Sequence, residues 1–259
     1  MKVLVTGAAG RVGTVVCGEL LRHHDLRQMD VQPVSDFDGD VIQGSVADWA
    51  TVRRAVQGMD AVVHMAIHNP DESRREEHED YMQNDIAVSV QGTDLLLHAS
   101  KQAGVKRFVY TSSLNVYSAR YPKAGEFLSD SDETLSGEHY GTMKWLAEEL
   151  CRHYGMQQGL STIVLRFNTV TFTESWLEQN RDSKHPHASC TRVHVEDVAR
   201  AVRLAVENQN LPWGRCLVSG ANPEKRYDTT TADKLIGFRA RYGFEQGRMY
   251  RDGEVVDEG

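Results

Sequence analysis

Short apolar runs rich in Val, Ile and Leu alternate with segments of helical periodicity along most of the chain. The apolar runs predict strands at residues 2–6, 26–30, 40–46, 60–66, 105–113, 161–168 and 214–220. The intervening segments repeat apolar residues every three or four positions, which predicts helices at residues 11–24, 48–58, 75–104, 138–155 and 196–208. Strands that alternate with crossover helices pair in parallel. The pattern therefore predicts an α/β fold with a doubly wound parallel sheet.

Two irregular segments, 114–137 and 169–193, interrupt this alternation. Each follows a predicted strand, and in open α/β sheets ligands bind beyond the carboxyl ends of the strands. We therefore expect both segments to contribute to a substrate pocket.

The composition is that of an ordinary globular protein, with 40% apolar and 25% charged residues in a chain of 259. No apolar run approaches the roughly 20 residues that a membrane-spanning helix needs, and the N-terminal sequence MKVLVTGAAG lacks the pattern of a signal peptide. We therefore expect a cytoplasmic protein without membrane association. The net charge of −8, without a basic stripe, argues against a nucleic-acid partner.

The spacing of cysteines and histidines gives little support for a metal site or a disulfide. The four cysteines lie far apart, at positions 17, 151, 190 and 216, and none forms a pair at metal-ligand spacing. His185 and His187 flank a proline and have no carboxylate at ligand spacing. We expect reduced thiols and no bound metal.

A glycine-rich loop, TGAAGRVG, follows the first predicted strand and opens the first predicted helix. Gly7, Gly10 and Gly13 would allow a tight turn and let the backbone approach a pyrophosphate, whose charge the helix N-terminus favours. Asp30 ends the next predicted strand, where a carboxylate accepts hydrogen bonds from an adenosine ribose and repels a 2′-phosphate. The loop therefore predicts a dinucleotide site that prefers NAD to NADP, although Arg11 could weaken this preference.

A second motif, YGTMK, has Tyr140 and Lys144 one helical turn apart at the start of a predicted helix. A solvated helix face with an aromatic anchor would explain an arbitrary pair of this kind. A catalytic pair would explain it too, because a nearby ammonium stabilises a phenolate and lowers the pKa of tyrosine from its usual value of about 10. The spacing alone leaves both interpretations open.

Six segments occur in the order that is typical of a known family. They are TGAAGRVG, DAVVHMA, NDIAVSVQGTDLLLHA, VKRFVYTSSLNVY, YGTMK and VHVEDVARAV. Over residues 2–208 the chain resembles the extended short-chain dehydrogenase/reductases, which include the NAD-dependent epimerases and dehydratases of sugar metabolism. The resemblance implies a single Rossmann-type domain over residues 1–259 with NAD as cofactor. Within it, segments 169–193 and 221–259 would form a small substrate-covering portion.

Under this resemblance Tyr140 and Lys144 are the catalytic pair. Tyr140 would remove the hydroxyl proton as the hydride leaves the carbinol carbon, and Lys144 would also hold the nicotinamide ribose. Ser113 matches the serine that orients the reacting oxygen. Ser112 is its rival, because a slip of one residue at the strand end would exchange their roles.

The resemblance assigns further positions to the cofactor and the substrate. The cofactor-binding positions are Gly7, Gly10, Arg11, Val12, Gly13, Asp30, Ser45, Val46, Met65, Ala66, Ile67, Asn84, Tyr140, Lys144 and Phe167. The substrate-binding positions are Asn69, Ser113, Asn115, Asn168 and His187. Ser45 and Val46 would lie beside the adenine, and Asn84 on a helix that supports the active site. Plain core packing is the alternative for the apolar members.

The C-terminal part of the chain narrows the choice of branch. The segment after HVEDV, at 194–198, is shorter than the region with which the family's epimerases and dehydratases hold a nucleotide sugar. It resembles the C-termini of uronate dehydrogenases and of archaeal NAD-dependent glucose-6-phosphate dehydrogenases, which oxidise C1 of a hexose derivative. The resemblance therefore implies hydride transfer between NAD and a sugar substrate, which could be a hexose, a uronate or a sugar phosphate.

Two alternatives stay open at this stage: a nucleotide-sugar epimerase or dehydratase, and a non-catalytic dinucleotide-sensing protein. A dehydratase would need an acid beside the catalytic serine, and Leu114 and Asn115 supply none. Dinucleotide sensors on this fold commonly lose the Tyr/Lys pair, which this chain keeps. The resemblance also implies a homodimer that pairs through the helices predicted at 75–104 and 138–155.

Overall fold

Strands and helices alternate from the first residues of the chain. The computed structural model describes residues 1–35, 37–68, 80–123, 125–180, 191–208, 211–223, 226–245 and 247–256. The strands are β1 (Lys2–Thr6), β2 (Asp25–Asp30), β3 (Asp40–Gln43), β4 (Ala61–His64), β5 (Arg107–Ser113), β6 (Ser161–Phe167), β7 (Thr169–Thr171), β8 (Arg192–His194), β9 (Trp213–Val218), β10 (Tyr242–Glu245), β11 (Arg248–Arg251) and β12 (Glu254–Val255). The helices are α1 (Arg11–Leu21), α2 (Trp49–Ala55), α3 (Tyr81–Ile86), α4 (Gly92–Gln102), α5 (His139–Gln157), α6 (Thr173–Asn180), α7 (Val195–Glu207) and α8 (Thr230–Ile236).

Seven parallel strands form the central sheet in the order β3–β2–β1–β4–β5–β6–β9. Val3 and Val5 of β1 pack in the core beneath α1 and α7, whereas Leu4 packs on the opposite face, which α2, α4 and α5 cover. All three side chains are fully buried. A strand that is covered on both faces favours successive apolar residues, which explains the run VLV at residues 3–5. The predicted doubly wound α/β fold, a Rossmann fold, is confirmed.

Every strand of the central sheet overlaps a predicted strand, but the shorter elements outside the sheet were not predicted. The described part of segment 169–193 contains β7, α6 and β8, and β7 pairs in parallel with β8. Near the C-terminus β10, β11 and β12 form a small antiparallel sheet. These strands have two to four residues and contain no continuous run of Val, Ile and Leu that would have predicted them.

Buried contacts tie this C-terminal sheet to the Rossmann fold. The carboxylate of Asp197, in the first turn of α7, accepts hydrogen bonds from the backbone N–H groups of Arg241 and Tyr242, each 2.9 Å from Oδ2. Trp176 of α6 packs edge-to-face on Phe244 of β10, with ring centroids 4.8 Å apart. The contacts bring α6 and β10 together. That these segments cover a substrate stays a prediction.

The predicted helix at 75–104 is observed as α3 and α4, joined by a π-helical turn at Ala87–Gln91. Asp85, Ser89 and Thr93 follow one another at four-residue intervals on one buried face of this helix. Within the described ranges, no helix is both long enough and apolar enough to cross a membrane.

Candidate active site

The glycine loop after β1 is shaped by two of its three glycines. Gly7 has a φ of +75°, and a Cβ there would lie 2.8 Å from the backbone nitrogen of Ala66. A Cβ on Gly13 would lie 2.1 Å from the carbonyl oxygen of Gly7. Gly10, in contrast, is exposed, and a Cβ there would meet only the Gly7 oxygen, at 3.3 Å. Gly7 and Gly13 are therefore required by the loop itself, whereas Gly10 leaves room for a ligand.

The N-terminus of α1 and the carboxylate of Asp30 flank this loop. Gly10 is the N-cap of the eleven-residue helix and supplies no side-chain acceptor, so first-turn N–H groups stay available to an anion. Asp30 accepts hydrogen bonds from the backbone N–H of Ala9, at 3.0 Å, and of Gln32, at 2.9 Å. The arrangement fits the pyrophosphate and one ribose of a dinucleotide, because the donors and the carboxylate share one loop.

The side chain of Arg11 contacts the start of α6 and the residue before it. Its guanidinium lies 4.4 Å from the ring centroid of Phe172, and its Nη2 atom is 3.3 Å from the hydroxyl oxygen of Ser175. Val12 is partly buried against the core beneath α1. Arg11 therefore links the glycine loop to the segment that follows β7.

The segment after β4 runs beside the glycine loop, where the cofactor-binding positions Met65, Ala66 and Ile67 were predicted. The backbone N–H of Met65 donates to the carbonyl oxygen of Thr6 at 3.1 Å, and Ala66 is the residue that a side chain on Gly7 would strike. Ile67 is 39% exposed and so leaves an apolar side chain accessible at this edge. The structure therefore brings residues 65–67 next to the loop.

The pair predicted to lie beside the adenine has local structural roles. The hydroxyl oxygen of Ser45 accepts from the backbone N–H of Ala47 at 3.1 Å, and so stabilises the turn before α2. Val46 is buried, and a Cβ on Gly92 would lie 2.7 Å from its Cγ2. For Val46 the observed environment is that of a core residue.

Tyr140 lies in the first turn of α5, close against the segment that follows β5. A Cβ on its neighbour Gly141 would lie 2.1 Å from the carbonyl oxygen of Asn115. Only glycine permits this approach, which brings the start of α5 against the 3-10 helix at Leu114–Arg120. Gly141 therefore allows the half-buried Tyr140 to lie beside the carboxyl end of β5.

Lys144 is buried one turn further along α5, with 3% of its surface exposed. Its Nζ donates to the carbonyl oxygen of Thr111 at 2.8 Å and lies 5.8 Å from the ring centroid of Tyr140. It also lies 4.8 Å from the ring centroid of Tyr110. Burial lowers the pKa of Lys144 from 10.5 to about 8, against the opposing effects of Asp85 and Glu148. A cation beside the Tyr140 ring favours ionisation of the phenol.

The two adjacent serines at the end of β5 have different environments. The hydroxyl of Ser112 is buried and donates to Glu148 at 2.5 Å, and Glu148 in turn is paired with the fully buried guanidinium of Arg166. Ser113 is only half-buried, and its hydroxyl oxygen accepts from the backbone N–H of Asn115 at 3.1 Å. Its proton is thus left for another acceptor, which favours Ser113 over Ser112 as the serine that meets a ligand.

Asn84 and its neighbour Asp85 have different environments on α3. Asn84 is exposed, whereas the adjacent Asp85 is 1% exposed and accepts a hydrogen bond from the hydroxyl of Ser89 at 2.7 Å. Neighbouring residues on a helix project about 100° apart, so a residue next to the buried face points elsewhere. The inward-facing polar residues are Asp85 and Ser89, which the sequence analysis missed.

The structure describes three of the five predicted substrate-binding residues, Ser113, Asn115 and Asn168. Asn69 and His187 lie outside the described residues. The amide of Asn115 donates to Glu138 at 2.6 Å and its oxygen accepts from Tyr121 at 3.0 Å. The amide of Asn168 is buried and donates to Ser219 at 3.1 Å. Phe167 packs in the core beneath α1 and α7, as the core-packing alternative expects.

Comparison with models of known protein families supports a dinucleotide site. The model of the NAD dependent epimerase/dehydratase family matches residues 3–184. The chain belongs to this family. The prediction of NAD as cofactor is thereby confirmed, and the glycine loop, the α1 N-terminus and Asp30 fit it. The described part of the chain contains no group of three or more His, Cys, Asp or Glu residues that could hold a metal ion.

The chain is similar to dehydrogenases and epimerases that act on different substrates. A 3 beta-hydroxysteroid dehydrogenase/Delta 5-->4-isomerase of Mycobacterium tuberculosis is 34% identical over 174 residues, which are 64% of this chain and 46% of that protein. The chain thus spans about half the length of that relative. An L-arabinose 1-dehydrogenase (NAD(P)(+)) of Haloferax volcanii is 27% identical over 93% of this chain and 96% of its own. The solved uronate dehydrogenase of Agrobacterium tumefaciens shares the fold, with a TM-score of 0.74 and 23% identity over 92% of this chain and 84% of that one.

Proposed function

We propose that the protein is an NAD-dependent oxidoreductase that oxidises a hydroxyl-bearing carbon of a sugar or sugar derivative. The proposal rests mainly on the buried ammonium of Lys144, which lies 5.8 Å from the ring centroid of Tyr140. Tyr140 immediately precedes Gly141, the glycine that lets α5 pack against the segment after β5. A buried cation beside a half-buried phenol is an arrangement that suits a general base.

The residues would divide the reaction as follows. The hydroxyl of Ser113 donates a hydrogen bond to the reacting oxygen and fixes its orientation. The ionised phenol of Tyr140 takes the hydroxyl proton, and the carbonyl forms as the carbon loses a hydride. Bound NAD supplies the hydride acceptor. Lys144 stabilises the phenolate by its charge, while its bond to the Thr111 carbonyl keeps the ammonium in position.

Similarity along nearly the whole chain to a sugar 1-dehydrogenase supports a sugar substrate that is oxidised at C1. Oxidation there converts a hemiacetal into a lactone, with one proton passing to Tyr140 and the hydride to the nicotinamide. The steroid dehydrogenase is similar over only 64% of this chain, so it is weaker support for a substrate class.

A panel assay tests the proposal. The purified protein is incubated with NAD and, one at a time, L-arabinose, other aldoses, uronates and sugar phosphates, and nicotinamide absorbance is followed. We expect at least one sugar to reduce NAD, and Tyr140→Phe to lower turnover by about 100-fold or more while NAD affinity is nearly unchanged. A Tyr140→Phe variant with full turnover would contradict the proposal, and epimerisation of a nucleotide sugar without net NAD reduction would favour the alternative.

The proposal extends to domain organisation, assembly and location. We propose a single Rossmann-type domain over residues 1–259, with residues 169–193 and 221–259 as its substrate-covering portion. We also propose a homodimer in the cytoplasm that pairs through α3 to α5. Exposed apolar side chains on α3 and α5 support the pairing; they are Met82, Ile86, Trp145, Leu146 and Met156.

A further inference from the structure

A buried carboxylate lies between the helix formed by α3 and α4 and the start of α5. Asp85 is 1% exposed; its Oδ1 accepts from the hydroxyl of Ser89 at 2.7 Å, and its Oδ2 lies 3.0 Å from Nε2 of His139. Among the described residues, neither Oδ2 nor Nε2 has another polar partner. The separation is within hydrogen-bonding distance, although the contact is not directed as a hydrogen bond is. A buried carboxylate is costly unless it is paired, so its position between the two helices needs an explanation.

His139 connects this carboxylate to the catalytic helix. It immediately precedes Tyr140, and its ring packs edge-on against Tyr81 of α3, with centroids 5.9 Å apart. Its side chain is 20% exposed, so it closes the buried carboxylate off from solvent. The Asp85–His139 pair thus connects α3 to the first turn of α5, which contains Tyr140.

The other titratable groups around Lys144 are few. Tyr110 lies on β5, while Tyr140, Glu148 and Cys151 lie on α5 itself. His64 lies on β4, between the hydroxyls of Thr6 and Thr93. Burial and the Lys144 charge lower the pKa of His64 to about 3, so it is neutral. Glu148 is already paired with Arg166, at 2.5 Å. Of the two carboxylates whose charges act on Lys144, Asp85 is therefore the one that has no arginine or lysine partner among the described residues.

We propose that Asp85, held by Ser89 and His139, is a positioning residue that keeps Lys144 protonated and so sets the pH at which Tyr140 acts as a base. This inference rests on the proposed function. Burial alone drives Lys144 toward its neutral form, which could not stabilise a phenolate. A carboxylate in the adjacent helix opposes that tendency without contacting substrate or cofactor. Asn84, the residue expected to support the site, is replaced in this role by its neighbour.

The charge of Asp85 predicts a direction for the pH profile. A nearby carboxylate favours the form of the Tyr140–Lys144 pair that holds more protons, because that form carries the greater positive charge. In Asp85→Asn the pair should lose its first proton at lower pH. The rising limb of kcat/KM should then move to lower pH by about one unit, the small end of the effect of a neighbouring charge. The plateau should fall, because more of the pair holds neutral lysine.

The experiment compares Asp85→Asn with Asp94→Asn in the NAD-bound enzyme. Asp94 lies on α4 and accepts from the phenol of Tyr154 on α5 at 3.4 Å, so it is a carboxylate between the same two helices. It is exposed, and it is not among the groups that act on Lys144. kcat/KM is measured against pH with L-arabinose or the panel sugar that reduces NAD fastest. Tyrosinate absorbance of the NAD-bound protein, relative to Tyr140→Phe, gives the ionisation of Tyr140 without any sugar.

We expect the limb and the tyrosinate midpoint to shift in Asp85→Asn and to stay in place in Asp94→Asn. Superimposable profiles for Asp85→Asn and wild type, or an equal shift in Asp94→Asn, would overturn the inference. If Tyr140→Phe lacks turnover while the Asp85→Asn profile is unchanged, only this inference fails. If Tyr140→Phe retains full turnover, the proposed function itself fails.

His139→Ala provides a second variant in case Asp85→Asn does not fold. The change removes a partly exposed ring and leaves Oδ2 of Asp85 without its partner, which favours the protonated, uncharged carboxyl. The limb should then shift in the same direction as for Asp85→Asn, by a smaller amount. A folded His139→Ala variant with an unchanged limb and tyrosinate midpoint would overturn the inference.

Discussion

Replacing Lys144 by methionine should stabilise the cofactor-free protein while removing its activity. Methionine has a similar length and no charge, so it can occupy the same buried space. The lysine ammonium is buried, and its pKa falls from 10.5 to about 8 mainly because burial disfavours the charged form. At neutral pH the folded protein therefore holds a charge that its environment destabilises.

The magnitude follows from this pKa. At about 1.4 kcal/mol per pKa unit, the fall from 10.5 to about 8 represents roughly 3 kcal/mol of lost stability below about pH 8. The variant also loses the hydrogen bond from Nζ to the Thr111 carbonyl, which leaves that oxygen without this donor and costs about 1 kcal/mol. We therefore expect Lys144→Met to raise the free energy of unfolding by about 2 kcal/mol near pH 7.

The pH dependence separates this explanation from a general packing effect. Between about pH 8 and pH 10.5 the unfolded chain keeps a lysine proton that the folded chain has lost, so wild-type stability rises with pH relative to the variant. Above about pH 10.5 both states of the wild type hold neutral lysine, and the electrostatic advantage of the variant disappears.

Urea unfolding of both proteins without NAD, at about pH 7 and at the highest pH where both remain folded, measures the difference. Lys106→Met is the matched control, because that side chain is exposed, and it should change stability by no more than about 0.5 kcal/mol. A Lys144→Met variant that is less stable than wild type near pH 7 would refute the reasoning. A stability gain that is the same at both pH values would also refute it.

Three further predictions concern the cofactor loop and the assembly. Gly10→Val should abolish NAD binding in calorimetry and keep a native circular dichroism spectrum, whereas Gly13→Val should unfold the loop or the protein because its Cβ would strike the Gly7 carbonyl. Normal NAD binding by Gly10→Val would contradict the role of that glycine. NAD should bind at least about tenfold more tightly than NADP, and Asp30→Asn should narrow the ratio; equal affinities in the wild type would mean that Asp30 does not meet the ribose. Sedimentation should show a dimer that Trp145→Glu dissociates, because Trp145 is 38% exposed on α5; a monomeric wild type at micromolar concentration would contradict this.

The sheet was predictable because burial on both faces gives its strands continuous apolar sequences. β4 is an example, because all four of its residues, Ala61 to His64, are buried and the first three are apolar. The glycine loop was predictable for a similar reason, since a positive φ at Gly7 and a close approach at Gly13 leave few other residues possible. The small C-terminal sheet was not predicted, because its strands YGFE, RMYR and EV contain no continuous run of Val, Ile and Leu.

Asp85 shows why the polar part of the site was harder to predict. Its sequence context, NDIAVS, offers two polar residues in succession, and either could face inward. Only the packing of α3, in which Asp85 is buried and Asn84 exposed, shows which of the two does. A charged residue is also rarely buried, so composition favours the asparagine. Ser112 and Ser113 are also two polar residues in succession, and the sequence does not show which one meets a ligand. The structure distinguishes them, because the hydroxyl of Ser112 is buried and donates to Glu148.

The burial that makes the charge of Lys144 destabilising to the fold also makes that charge effective in the proposed reaction. A lysine in water would keep its proton but would be well hydrated and weakly coupled to a phenol, whereas a fully desolvated lysine would lose its proton and offer no charge. A pKa of about 8 lies between these limits, because burial lowers it while Asp85 and Glu148 raise it. Neutral His64 adds no competing cation on the other side. The two carboxylates are not equivalent, since Arg166 already neutralises Glu148. The charge on Lys144 should therefore depend more on Asp85 than on Glu148, even though Glu148 lies on the same helix as Lys144.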